Sequence, residues 1–303
     1  MDFRNIYYRL QALDVGLILR DEPMYKHTTY KVGGAARLFV YIKDIDSLKS
    51  ALNFLRQENV PHMVIGKGSD VLFSDREYEG VIISLDHLNR IEFNGNVIVA
   101  QAGAGLIPLA YQSAKVGLTG MEFMGGIPGA VGGGIYMNAG AYNSSISAIC
   151  QSVRILNEHN EIVTLSNEEM QFGYRTSILQ AHPEWIVLDA VFILDVGDPV
   201  AIHQLLDKRK ERRMSTQPWN FACAGSVFRN PDDQPAWKYV DEVGMRGYEI
   251  GGAQVSPKHS NFIVNNGYAS ARDILDLIEL VQFKVWEKFG VKLKTEVILV
   301  NWE

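Results

Sequence analysis

The sequence predicts an α+β protein of more than one domain, and three observations carry that expectation. Helix-like and strand-like apolar patterns alternate without a fixed period over 303 residues, a length that suggests one to three domains. The composition, 47% hydrophobic and 21% charged with mean hydropathy −0.04, is that of a soluble globular chain. Residues 103–140 hold 11 of the 27 glycines, yet Leu106, Ile107, Leu109, Phe123, Met124 and Ile127 interleave with them. A flexible linker would be Ser-rich and poor in apolar residues. This stretch therefore reads as buried chain, with glycine marking close approach of backbone to something.

The elements follow in order. Residues 1–19 read as a helix, with a loop carrying Pro23 after it. The runs KVGGAARLFVYIK, VPHMVIGKGSDVLFSD and EGVIISLD read as strands. Between the first two, IDSLKSALNFLRQ repeats Leu48, Leu52 and Leu55 at helix spacing. NVIVAQ opens a second strand region that runs to about Asp195. AIHQLLDKRKERRM reads as a helix, a Gly-Ser turn follows at 225–226, and YEIGGAQVS and NFIVN read as strands. The helix at 270–289 is best marked: Ser270 and Asp273 form a capping box, Ile274, Leu277, Ile278, Val281 and Val285 make one stripe, and Gly290 suits the C-cap. KTEVILVNW reads as a last strand.

Charge and motifs remove several function classes. The net charge is −6 and the pI near 5.7, so a general affinity for nucleic acid or anionic membrane is not expected. Cys150 and Cys223 make no disulfide framework, and Asp2, Arg4, Arg9 and Asp14 break the apolar start. A reduced cytoplasmic protein without a signal peptide or membrane insertion is expected. The seven histidines are scattered singly, so no metal site is expected. GKGSDV lacks the third glycine of GxGxxG, and GxxxxGK[ST] is absent.

Two Gly-rich elements remain: Gly66-Lys67-Gly68-Ser69 and GGIPGAVGGGIYMNAGAY at 125–142. Convergent backbone N–H groups can hold phosphate without lysine. The first element alone is most simply a turn. The second holds seven glycines and no charge, which suits a large, partly apolar cofactor with a pyrophosphate.

At these residues the chain resembles a known family. HTTYKVGGAARLFV, VIGKGSDVLFSD, GIPGAVGGGIYMNAGAY, YRTS, QPWNFACAGSVFRNP, GGAQVSPKHSNFIVN and KTEV run in the order of the UDP-N-acetylenolpyruvoylglucosamine reductases, in their shorter, second-type form. The resemblance covers about residues 20–300. It implies a two-subdomain FAD-binding module of the vanillyl-alcohol-oxidase (PCMH) type, at 1–88 and 89–196, plus a C-terminal α/β substrate-binding domain at 197–296. The 297–303 tail is left free to return to the first subdomain. It implies reduction of UDP-N-acetylglucosamine enolpyruvate to UDP-N-acetylmuramate, with NADPH as co-substrate, by a monomeric enzyme. Noncovalent FAD is expected on Gly66, Lys67, Gly68, Ser69, Gly126, Ile127, Pro128, Gly129, Gly132, Asn138, Gly140 and Ala141.

The chemistry asks for the remaining residues. Hydride addition to an enol-ether carboxylate builds negative charge at the α-carbon and its carboxylate, which needs fixed positive charge and a proton source. Arg175 in YRTS matches the family's carboxylate-stabilising arginine, Glu296 in KTEV its catalytic glutamate, and Ser226 in AGSVF its proton donor. Outside that context they read as a surface arginine, a solvated edge-strand glutamate and a turn serine. Lys258 and His259 are candidates for the substrate diphosphate, and Asn230 for the uracil or sugar. The basic run 208–213 reads most simply as a solvated helix face. An oxidase on the same flavin fold, or a nucleotide-binding regulator, are the rival readings.

Overall fold

The computed structural model describes residues 1–302. In chain order its elements are α1 (Phe3–Ala12), β1 (Gly16–Pro23), β2 (Ala35–Ile42), α2 (Ile45–Gln57), β3 (His62–Ile65), β4 (Val71–Phe73) and β5 (Tyr78–Ser84). Then follow β6 (Ile91–Asn94), β7 (Val97–Gln101), α3 (Leu106–Lys115), β8 (Leu118–Thr119), α4 (Val131–Tyr136), β9 (Gly140–Ala141) and β10 (Ser144–Ser145). β11 (Cys150–Leu156), β12 (Ile162–Ser166), β13 (Ile186–Ile193), β14 (Asp195–Val196) and α5 (Pro199–Thr216) lead to the C-terminal part. That part contains α6 (Ala236–Glu242), β15 (Glu249–Ile250), β16 (Ala253–Val255), β17 (Ile263–Asn265), α7 (Ala271–Phe289) and β18 (Ile298–Val300).

The chain forms two compact units. The first takes residues 1–21, 37–67 and 79–211, and the second takes 22–36, 68–78 and 212–303. Each has its own apolar core.

The first unit is built on two sheets. One has the order β1-β2-β5-β3, with β3 and β5 parallel. α2 starts where the Asp44 side chain accepts the Ser47 N–H at 2.7 Å, and it buries Leu48, Leu52 and Leu55. The other sheet is antiparallel, in the order β12-β11-β13-β7-β6. β13 is central and buried on both faces, which its run Ile186-Val187-Leu188 anticipates. Within it Asp189 is buried and takes two donors of Arg154 from β11. A charge so buried needs such a partner.

The helix expected over 1–19 ends at Ala12. Asp14 turns the chain at φ 51, and Gly16 enters β1 with its ideal Cβ only 2.1 Å from the Tyr41 carbonyl oxygen. Only glycine lets the two backbones approach that closely, so the remainder pairs as a strand with β2.

The second unit packs α7 against the antiparallel sheet β15-β16-β17 and adds the parallel pair β18-β4. α7 has the expected ends: the Ser270–Asp273 capping box is complete, and Gly290 is left-handed at φ 69. Its five-residue stripe is essentially inaccessible. The tail is stitched down as well, since Ser74 N–H donates to Val300, Trp302 Nε1 to the Leu72 carbonyl at 2.9 Å, and Asn301 Nδ2 to Glu77 at 3.1 Å. Among the described residues no helix is long and apolar enough to cross a membrane.

Candidate active site

In the first unit the Gly-rich run forms a small-residue surface. Glu122, its buried acid, braces the entry by accepting from the Thr119 hydroxyl at 2.5 Å and the Gly120 N–H at 2.9 Å. Gly126 is buried, Ile127 and Gly129 are half-buried, and Pro128 is exposed. Two bonds, Leu106 N–H to Gly129 and Val131 N–H to Ala104, fix the loop and start α4. Gly66, at the end of β3, faces this loop: its ideal Cβ would lie 3.6 Å from the Ala130 Cβ. The two Gly-rich elements of the sequence thus meet at Gly66 and Ala130.

This surface fits a cofactor carrying a pyrophosphate. A Cβ on exposed Gly133 would meet nothing within 4 Å, so the space above it is open to a ligand. Among the described residues no acceptor takes the N–H of Gly129 or Gly133. Such amides suit phosphate oxygens. Gly132 is half-buried with its ideal Cβ 3.1 Å from Ala102, so a side chain there would crowd that neighbour. The Lys67 ammonium lies 2.9 Å from Asp86. Gly140 and Ala141 form β9, which a two-residue turn joins to β10.

Asn138 is buried, and both ends of its amide are engaged by protein: Nδ2 donates to Gly173 at 2.9 Å and Oδ1 accepts the Ser147 N–H at 3.0 Å. Arg175 stands on a two-residue turn closed by Gly173 N–H to Thr176 at 3.0 Å. Its φ is 55, a left-handed conformation that costs a non-glycine residue about 1–2 kcal/mol. Its guanidinium donates to the Gly140 carbonyl at 2.9 Å and lies over the Tyr174 ring. Strain of this kind persists only where the surroundings over-determine it.

The second unit holds Gly68, Ser69 and the C-terminal candidates. Gly68 has φ 61 and an ideal Cβ 2.0 Å from the His27 carbonyl oxygen, so the fold demands glycine there. Ser69 follows it, half-buried. Ser226 follows Gly225, which is left-handed at φ 77. The next residues are clamped by Asn261, which accepts from Val227 and Phe228 N–H and donates to Phe228 at 2.8 Å. The same segment pairs with 294–296: Arg229 N–H donates to Lys294 and Glu296 N–H donates to Val227 at 2.8 Å. Ser226 and Glu296 therefore sit on two hydrogen-bonded segments.

Lys258 lines a shallow pocket with Pro218, Trp219, Phe221 and Gln254. Its ammonium donates to the Met214 carbonyl at 2.5 Å. Burial, reinforced by nearby Arg246, holds the His259 pKa below the ordinary imidazole value, which favours its neutral form. Asn230 is exposed, and its Oδ1 accepts the Ala236 N–H at the start of α6. Burial pushes Cys150 up to about 12 and also raises Cys223, so neither thiol is a ready nucleophile.

Comparison with known proteins adds the family. Residues 217–300 match the model described as UDP-N-acetylenolpyruvoylglucosamine reductase, C-terminal domain, and residues 36–166 match the one described as FAD binding domain. The UDP-N-acetylenolpyruvoylglucosamine reductase of Anoxybacillus flavithermus is 46% identical over 96% of this chain and 97% of that protein. The chain belongs to the UDP-N-acetylenolpyruvoylglucosamine reductase family. The UDP-N-acetylenolpyruvoylglucosamine reductase 1 of Bacillus cereus is 44% identical over 95% of this chain and 96% of its own. The crystal structure of the reductase from Thermus caldophilus superposes with TM-score 0.81 and 29% identity, covering 94% of this chain and 98% of that one. The fold is accordingly an α+β flavoprotein fold. In this reductase Ser226, Asn230, Lys258, His259 and Glu296 all lie in the C-terminal match, whereas Arg175 lies between the two matched ranges.

Proposed function

We propose that the protein reduces UDP-N-acetylglucosamine enolpyruvate to UDP-N-acetylmuramate with NADPH, for bacterial peptidoglycan synthesis, as a cytoplasmic monomer. FAD, when bound, supplies the two-electron relay between the nicotinamide and the enolpyruvyl double bond. The glycine amides around 126–133, with Gly66, Lys67, Gly68 and Ser69, would hold it. No His or Cys lies in 125–142, which favours noncovalent attachment. Division into FAD-binding subdomains at 1–88 and 89–196 is supported by the two sheets of the first unit, which end at Ser84 and begin at Ile91. The substrate domain is 197–296.

Arg175 and Glu296 act on the substrate carboxylate as charge builds there, and the Ser226 hydroxyl gives its proton to the α-carbon. Lys258, His259 and Asn230 bind the sugar nucleotide. The observation that carries this reading is the pairing of the Ser226 segment with that of Glu296, through Glu296 N–H to Val227. That pairing supports the reading, because a proton donor and a carboxyl that act on one substrate need a shared, fixed support.

The test separates two half-reactions by anaerobic stopped-flow absorbance of the flavin. Ser226→Ala should leave reduction by NADPH nearly unchanged. Reoxidation by the enolpyruvyl substrate should slow by about 10²–10⁴-fold, roughly 3–5 kcal/mol on the barrier. Equal slowing of both halves would mean that the serine only shapes the site.

A further inference from the structure

Arg175 occupies a backbone conformation that its own side chain disfavours, so something else must impose it. The turn Gly173-Tyr174-Arg175-Thr176 is gripped at two carbonyls by two side-chain amides. Asn138 Nδ2 donates to the Gly173 carbonyl at 2.9 Å. Gln180 Nε2 donates to the carbonyl of Arg175 itself at 3.0 Å, and reaches Tyr136 at 3.4 Å. Each amide is anchored in turn. Asn138 is buried and accepts the Ser147 N–H, while Gln180 ends a short 3₁₀ turn, Ile178–Gln180, whose Ile178 N–H donates to Met170 at 2.8 Å. The guanidinium then donates to Gly140, two residues past Asn138. A left-handed arginine held at its own carbonyl has its side-chain direction set by the turn.

We propose that Gln180, together with Asn138, is a positioning residue that locks the Arg175 turn and thereby aims its guanidinium at the substrate carboxylate. This rests on the role given to Arg175 above. Gln180 acts through the Arg175 carbonyl. Removing its donor takes the Gln180 bond from the Arg175 carbonyl, lets φ relax to negative values, and swings the guanidinium away. A displacement on the order of 1 Å at a positioned group costs up to about 100-fold in rate.

The test uses the FAD-loaded enzyme and four variants. Gln180→Ala and the near-isosteric Gln180→Glu, which cannot donate when ionised, should slow flavin reoxidation by the enolpyruvyl substrate by about 10- to 100-fold. Reduction by NADPH should stay within about twofold, and kcat should fall more than KM rises. Ser177→Ala is the structural control: it removes the Ser177 hydroxyl bond to Tyr136 at 2.8 Å on the same 3₁₀ turn, without touching the Arg175 turn. It should cost stability and leave reoxidation unchanged. Arg175→Lys separates the two readings. If it leaves reoxidation unchanged, the role of Arg175 falls and the positioning role with it. If it slows reoxidation while Gln180→Glu does not, only the positioning role falls. In ligand-free protein, Gln180→Ala should also speed hydrogen exchange at Gly173 and Thr176, which close the turn, and unchanged exchange there would overturn the proposal.

Discussion

Gly68 and Gly133 both lack a side chain, and the surroundings give each a different reason. At Gly68 an added Cβ would strike the His27 carbonyl oxygen at 2.0 Å, whereas at Gly133 it would point into open space. Leucine at 133 should therefore fold. A helical Gly replaced by a better helix former gains up to about 1 kcal/mol, so the melting temperature of the apoprotein should not fall. FAD binding should weaken by about 10–100-fold, the loss of one or two charge-assisted contacts, as read by flavin fluorescence titration. Unchanged affinity in Gly133→Leu would remove the cradle. Much of the candidate site was legible at this scale, because Gly66, Ser226 and Glu296 sit in short sequence strings. What those strings hid is which side chains are already engaged. Asn138 bonds a carbonyl 35 residues away, and Lys258 one 44 residues away. No local pattern reports such a bond. Gln180 gave no signal for the same reason.

Elements with local rules were legible, and elements made by tertiary contact were not. α2 and α7 carry their caps and stripes in sequence, and both appear where expected. α4 lies inside the Gly-rich run, where helix propensity argues against it. α4 forms because Val131 and Ile135 are fully buried and Gly134 lets Ile146 and Leu106 close over it. At the α7 N-terminus the Asp273 carboxylate accepts from Ser270 at 2.9 Å and from Gly252 at 3.3 Å. Burial alone would raise its pKa, but these bonds outweigh it and keep the group below the usual carboxylate range. A depressed acid contributes stability that is present above the unfolded value near 3.9 and lost as pH falls through the folded one. Asp273→Asn should thus cost about 1 kcal/mol at pH 7, a typical capping loss. The gap to wild type should narrow as pH falls below about 4 in urea melts. A gap that widens over that range would place the effect elsewhere.

Across the whole molecule, chain order and spatial order disagree. The second unit is assembled from three separated segments, and its small β4–β18 pair joins the second of them to the end of the third. Trp302→Ala removes a half-buried ring and its bond to Leu72, and should cost about 2–3 kcal/mol. Hydrogen exchange should rise first at 70–77, while the five-stranded sheet keeps its protection. Uniform loss of protection would show that the tail is not specific to that segment. The same stitch has a consequence for biosynthesis. Trp302 follows its partner Leu72 by 230 residues. At 5–20 residues per second, β4 waits on the ribosome roughly 10–50 s without its neighbour. Throughout that interval the wholly apolar Val71, Leu72 and Phe73 lack their strand partner, which is an invitation to wrong pairing. The newborn chain is thus in need of a chaperone at a strand that the finished protein buries along its whole length.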